Sequence, residues 1–132
     1  MNLFFKDGDL WYLLKPKKIR IAIPTTGNKK LNDKISEFFG KTPTFTIIDL
    51  VNGKVERIKV TKNPASAYQY GSGPIAVKVL VDSKVDAVVG GKIGPGASTL
   101  LKQHKIQEIK AKPGVKVAEA LEEIIKNFKA SS

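Results

Sequence analysis

The sequence contains no cysteine. That excludes disulfides, thiolate nucleophiles and cysteine-held iron–sulfur clusters together. Histidine is almost as scarce, with His104 the single copy in 132 residues. A zinc site would need His104 plus carboxylates, so no metal-ligating set is assigned. No catalytic residue is assigned either, because a nucleophile needs a nearby base and the one histidine is badly placed. Acids are few, 12 against 23 lysines and arginines. The first apolar strand carries none, Asp49 ends a hairpin strand, and Asp82 and Asp86 flank a helix-to-strand join. Capping and solvation explain these acids better than metal-dependent hydrolysis. No apolar run approaches the roughly 20 residues of a membrane helix. The start, MNLFFKDGDLWYLL, lacks a basic leader and is broken by Asp7 and Asp9, so it does not read as a signal peptide. The expected location is the cytoplasm.

What is present is ordinary for a globular chain: 42% hydrophobic and 27% charged residues. A length near 130 residues suits one domain that folds without disulfide or metal. The formal charge is +11. It admits two readings: a lysine-rich surface kept for solubility, or attraction of nucleic acid, acidic proteins or small anions.

Along the chain, residues 2–14 form two apolar runs around Asp7-Gly8, a hairpin signal. Residues 1–16 are therefore expected to be a hairpin extension, 17–129 the main domain, and 130–132 a frayed tail. The main domain opens with a strand over 19–23, interrupted by Arg20. A short helix is expected over 31–39, capped by Asn32 or Asp33 and stopped by Gly40. Residues 44–50 and 54–60 flank Asn52-Gly53, which predicts an antiparallel hairpin. Residues 62–70 read as a loop. Gly71-Ser72-Gly73-Pro74 then opens a helix with Ile75, Ala76, Val79 and Leu80 as its apolar stripe. A buried strand over 85–89 leads through a second glycine turn, 90–96, to a helix over 97–104. A strand over 106–109 and an amphipathic helix over 115–128 follow, with Val117, Ala120, Leu121, Ile124 and Phe128 inward. Glu122 and Lys126 are expected to pair on its surface. The order predicts an α/β fold: a mixed sheet with helices on both faces and right-handed crossovers.

Chemistry is expected at the loops that end the strands. Glycine lets a ligand approach the backbone, and a helix N-terminus offers free N–H groups that favour anions. In open α/β sheets, ligands bind beyond the carboxyl ends of the parallel strands. Three loops are candidates for one cleft, with Thr25, Thr26 and Asn28 on the first, Gly71, Ser72 and Gly73 on the second, and Gly91, Lys92, Gly94 and Gly96 on the third. Tight turns need glycine without any ligand too, and neither glycine loop carries a P-loop or dinucleotide signature. His104 falls at a helix end, on the order of 13 Å from the glycine loop at about 1.5 Å per residue. It is expected to complement the helix dipole and share a face with Ala97, Leu100 and Leu101. Phe4, Phe5, Trp11, Tyr12, Tyr68 and Tyr70, lying near lysines, could stack single-stranded bases, although packing is the commoner fate of aromatics.

Four stretches carry a family resemblance: Ile21-Ala22-Ile23-Pro24; Ser36-Glu37-Phe38-Phe39-Gly40-Lys41-Thr42-Pro43; Asn63-Pro64-Ala65; and Gly90-Gly91-Lys92-Ile93-Gly94-Pro95-Gly96-Ala97. With the closing segment GVKVAEALEEI, they resemble the dinitrogenase iron–molybdenum cofactor biosynthesis family, which includes NifX-type carriers and the C-terminal domain of NifB. The resemblance covers about residues 18–127. It implies a ribonuclease H-like fold with a five-stranded mixed sheet. It also implies a non-catalytic protein that binds or carries an iron–sulfur-based nitrogenase cofactor or its precursor. Members often have histidine where this chain has Phe38 and near where it has Tyr70. Binding here would then rest on backbone N–H groups, hydroxyls and Lys92, which suits an anionic ligand. The alternative expectation is a basic nucleic-acid-binding module on the same scaffold. A monomer or weak homodimer with no membrane partner is expected in either case.

Overall fold

The computed structural model describes residues 17–130 and the side chains of 17–127, so the inward Phe128 expected on the last helix lies outside the described side chains. The expected hairpin over 1–16 and the last two tail residues lie outside the described residues. Five strands form one mixed sheet: β1 (Lys18–Thr25), β2 (Thr44–Val51), β3 (Lys54–Lys62), β4 (Ala87–Val89) and β5 (Gln107–Ile109), in the order β3-β2-β1-β4-β5. The hairpin forms as expected, with Asn52 and Gly53 at positive φ of 53° and 77°. Strand β1 is the hinge of the sheet. It pairs antiparallel with β2 over its whole length and parallel with β4 through Ile21–Ala87 and Ala22–Val88.

Alternation along β1 and β2 sends side chains to two cores. Ala22, Phe45, Ile47 and Val88 face the helices α1 (Ser72–Asp82) and α2 (Pro95–Gln103). Ile21, Ile23, Ile48 and Val89 face α3 (Val117–Ala130), which buries Val117, Ala120 and Leu121 against them. Helices therefore cover both faces, as the strand–helix alternation requires. Phe39 and Phe45 anchor the first core with ring centroids 5.5 Å apart and planes tilted by 57°. The last helix extends to Ala130, two residues past its expected end.

The helix expected over 31–39 does not form. Only a 3-10 turn, Lys30–Asn32, appears, and the chain then runs extended. The reason is competition for backbone hydrogen bonds. Asp33 is buried, and its carboxylate accepts from the Thr26 hydroxyl (2.7 Å), the Lys29 N–H (3.0 Å) and the Lys34 N–H (2.8 Å). Beyond it, Ile35 N–H donates to Val115 O (2.9 Å) and Ser36 N–H to Pro24 O (2.8 Å). A short polar side chain that satisfies nearby backbone groups offers the chain an alternative to helix. Apolar Ile35 and Phe39 remain buried, on opposite faces of the sheet.

Arg20 is explained by the end of the sheet opposite the strand carboxyl termini. Its guanidinium donates to Asp49 (2.7 and 3.3 Å) and to Ser83 O (2.8 Å), while its N–H donates to Asp86 (2.8 Å). The acids Asp49 and Asp86 thus serve Arg20, where capping and solvation were expected. The hydrogen bond to Asp49, against the cost of burial, raises the arginine pKa above its ordinary value. Among the described residues the i,i+4 ion pair is Lys78–Asp82 on α1 (3.4 Å), not the expected Glu122–Lys126.

Candidate functional site

Beyond the carboxyl ends of β1 and β4 lies a cleft of about 630 Å³, within the usual range for ligand pockets. Its lining comes from three segments: Phe38 to Lys41, Gly71 to Pro74, and Lys92, Gly94, Gly96 and Ala97. Glycine geometry creates the space. A Cβ on Gly40 would meet Ser72 Oγ at 2.8 Å and Gly73 N at 3.1 Å, so the Phe-Gly turn lies directly against the start of α1. Gly91 has φ of 84°, and a Cβ there would meet Pro24 Cγ at 3.2 Å and Phe39 N at 3.3 Å. That close approach lets Lys92 N–H donate to Glu37 O (2.7 Å) and Phe39 N–H to Lys92 O (3.1 Å). The two glycine loops and the Phe-Gly turn are thereby locked together.

Asn63 fixes the third wall. Its side-chain N–H groups donate to Gly40 O and Thr42 O, both at 2.9 Å, and its Oδ1 accepts from Ala65 N–H at 3.1 Å. It thus caps a 3-10 turn, Pro64–Ala67, inside the segment expected to be a plain loop.

The electrostatics of the cleft are set by two helix ends. Gly71 and Gly94 are the N-cap residues of α1 and α2, and neither supplies a side-chain cap. Proline occupies the first turn of each helix and removes one donor from each. The remaining first-turn N–H groups have no intrahelical acceptor. Both helix ends therefore bring partial positive charge to the same cleft, where Lys41 and Lys92 add full charges.

Of the residues singled out in the sequence, Gly71, Ser72, Gly73, Lys92, Gly94 and Gly96 come together as lining, and Gly91 supports them from beneath. Thr25, Thr26 and Asn28 do not line this cleft. Thr25 is fully buried, its hydroxyl bonded to Thr44 (2.7 Å) and Thr46 (2.9 Å). Thr26 is committed to Asp33, and exposed Asn28 belongs to the loop that Asp33 organises. Conversely, Phe38, Phe39, Gly40 and Lys41 line the cleft although helix patterning hid them. No local signal marked them, because Ile35, Phe38 and Phe39 imitate a helical stripe. His104 caps the far end of α2 and is exposed rather than packed with Ala97 and Leu101.

Among the described residues, no three histidine, cysteine or acidic side chains are grouped to hold a metal ion. No described helix is long and apolar enough to cross a membrane. The donors at the cleft are N–H groups and ammonium groups. They complement an anion that brings its own ligands, and they do not complement bare iron, which favours thiolate or imidazole.

The family described as dinitrogenase iron-molybdenum cofactor matches residues 17–127. The protein MJ0580 of Methanocaldococcus jannaschii is 29% identical over 99 residues, covering 75% of this chain and 80% of its own. A putative NifB protein from Thermotoga superposes with a TM-score of 0.67 at 27% identity, covering 82% of this chain and 88% of the other. The apo form of the orange protein from Desulfovibrio gigas has the same fold, with a TM-score of 0.72 at 23% identity and the same coverage, 82% and 88%.

Proposed function

Because the chain belongs to the dinitrogenase iron-molybdenum cofactor family, we propose that it is a non-catalytic, cytoplasmic accessory protein that binds an iron–sulfur-based nitrogenase cofactor or its precursor as an anionic cargo. The proposed contacts are the glycine loops 71–73 and 91–96, with Lys92 supplying charge. Thr25, Thr26 and Asn28 stand apart from them. The sheet order β3-β2-β1-β4-β5 supports the ribonuclease H-like assignment that accompanies this reading.

The observation that carries the proposal is the meeting of two helix N-termini without side-chain caps at one lysine-bearing cleft. Donors left free at the end of a helix favour a negatively charged ligand. The cargo keeps its own metal ligands, and the protein contributes position and compensating charge. Solvent-facing lysine ammonium groups add little at high salt, so the backbone donors give the site its geometry.

An anaerobic amide NMR titration with isolated nitrogenase cofactor tests this. Saturable shifts confined to residues 38–41, 71–73 and 91–96 are expected. A silent spectrum, or shifts spread over the lysine-rich surface alone, would refute the assignment.

A further inference from the structure

Large apolar side chains exposed among the described residues are Phe38 (51%), Val55 (40%), Tyr68 (52%) and Tyr70 (83%). Val55 lies on the edge strand β3. The other three lie on two segments that lead into the wall of the cleft. Phe38 is part of its lining. Tyr70 directly precedes the lining residue Gly71, and Tyr68 comes two residues earlier. Consecutive Cα atoms are about 3.8 Å apart, so these rings start within about 4 and 11 Å of the Gly71 Cα. Tyr68 closes the 3-10 turn that Asn63 ties to Gly40. The aromatic pair among the described residues is Phe39–Phe45, so none of the three exposed rings stacks on another described ring.

The exposed parts of these rings contribute little to the fold, since that apolar surface stays in water. Their surroundings are cationic: Lys41 and Lys92 line the cleft, and Lys62 ends β3 one residue before Asn63. The large apolar side chains exposed on these segments are all aromatic. Planar faces interleaved with ammonium groups complement a flexible polyanion that carries planar groups of its own. The +11 charge favours approach of such a ligand.

We propose that the cleft and these segments bind single-stranded nucleic acid, its bases stacking on Phe38, Tyr68 and Tyr70 and its phosphates meeting Lys41, Lys62 and Lys92. The proposal stands independently of the cofactor reading. A duplex hides its base faces and is a poor ligand here.

Fluorescence anisotropy of labelled thymidine and uridine decamers with the full chain tests it. Saturable binding is expected. Neutralising three phosphates predicts about an 18-fold loss of affinity between 50 and 200 mM salt. Tyr70→Ala and Phe38→Ala should each weaken binding about fivefold or more, while Tyr70→Phe keeps it, since stacking needs the ring and not the hydroxyl. Binding of either decamer supports the proposal, and binding of one alone identifies the source. Three results would overturn it. The first is no saturable binding at 50 mM salt. The second is salt-sensitive binding that ignores both alanine changes, meaning charge alone. The third is polyglutamate binding with the same aromatic dependence, which would make this a surface for an acidic protein.

Discussion

At the scale of single residues, Asp33 shapes the chain that leads to the cleft. Its carboxylate holds Thr26, Lys29 and Lys34, and so draws the chain out of the helix that the pattern of 31–39 predicts. Burial alone would push the carboxyl pKa up. The hydrogen bonds from the Thr26 hydroxyl and the Lys29, Lys34 and Thr26 N–H groups outweigh it, and the net pKa lies below the ordinary value. A group with a depressed folded pKa contributes stability that is complete above its unfolded pKa, about 3.9, and is lost as pH falls through the folded value. Asp33→Ala should therefore cost about 2–4 kcal/mol at pH 7, because charge-assisted bonds are removed and their donors stranded. Urea unfolding checks this, and the gap between variant and parent should narrow as pH falls below about 4. A gap that is small at pH 7, or that widens in acid, would mean that the carboxylate does not hold this loop.

Among the elements, α1 and α2 show how stability and binding compete at one place. Gly94 caps α2 with φ −67° and ψ 162°, a backbone that any residue adopts, and no atom lies within 4 Å of an added Cβ. Glycine is therefore not required there by space or conformation. An aspartate at this N-cap would accept from the first-turn N–H groups. Gly94→Asp should stabilise the fold by a few tenths of a kcal/mol in thermal melts. It should also weaken binding of an anionic cargo at least tenfold, since its carboxylate takes the same donors. Added stability with unchanged affinity would place the ligand elsewhere. Much of this geometry was legible in advance. The Asn-Gly hairpin, the two glycine turns into helices and the amphipathic closing helix are local signals, and they formed as read. The wall from Phe38 to Lys41 was not legible, because Ile35, Phe38 and Phe39 mimic a helical stripe. Only contacts distant in sequence, from Val115, Pro24 and Lys92, reveal the extended chain. The same holds for Thr25, whose hydroxyl looked available until β2 brought Thr44 and Thr46 against it.

For the whole molecule, the dominant physical fact is an excess of positive charge. Against a formal charge of +11, the described ion pairs are Arg20–Asp49 and Lys78–Asp82, and the second is largely exposed. An exposed pair contributes at most about 1 kcal/mol, so these two do not offset the mutual repulsion of lysines spread over both faces and both ends of the sheet. Self-repulsion of this kind destabilises the compact state, because unfolding moves like charges apart. Salt shortens its range: the Debye length falls from about 30 Å at 10 mM to about 10 Å at 100 mM. Were favourable ion pairs in control, added salt would lower stability; with repulsion in control, it must raise it. The expected outcome is a melting temperature several degrees higher in 300 mM than in 10 mM sodium chloride, measured by calorimetry. About 1 kcal/mol corresponds to roughly 4 °C in a domain of this size, so the effect is well within reach. A polyanion bound at the cleft rim would supply the same relief at low salt. The stabilisation by a single-stranded decamer should therefore be greatest at 10 mM and fade as salt rises, whereas a melting temperature that falls with salt would show that the lysines are already neutralised within the fold.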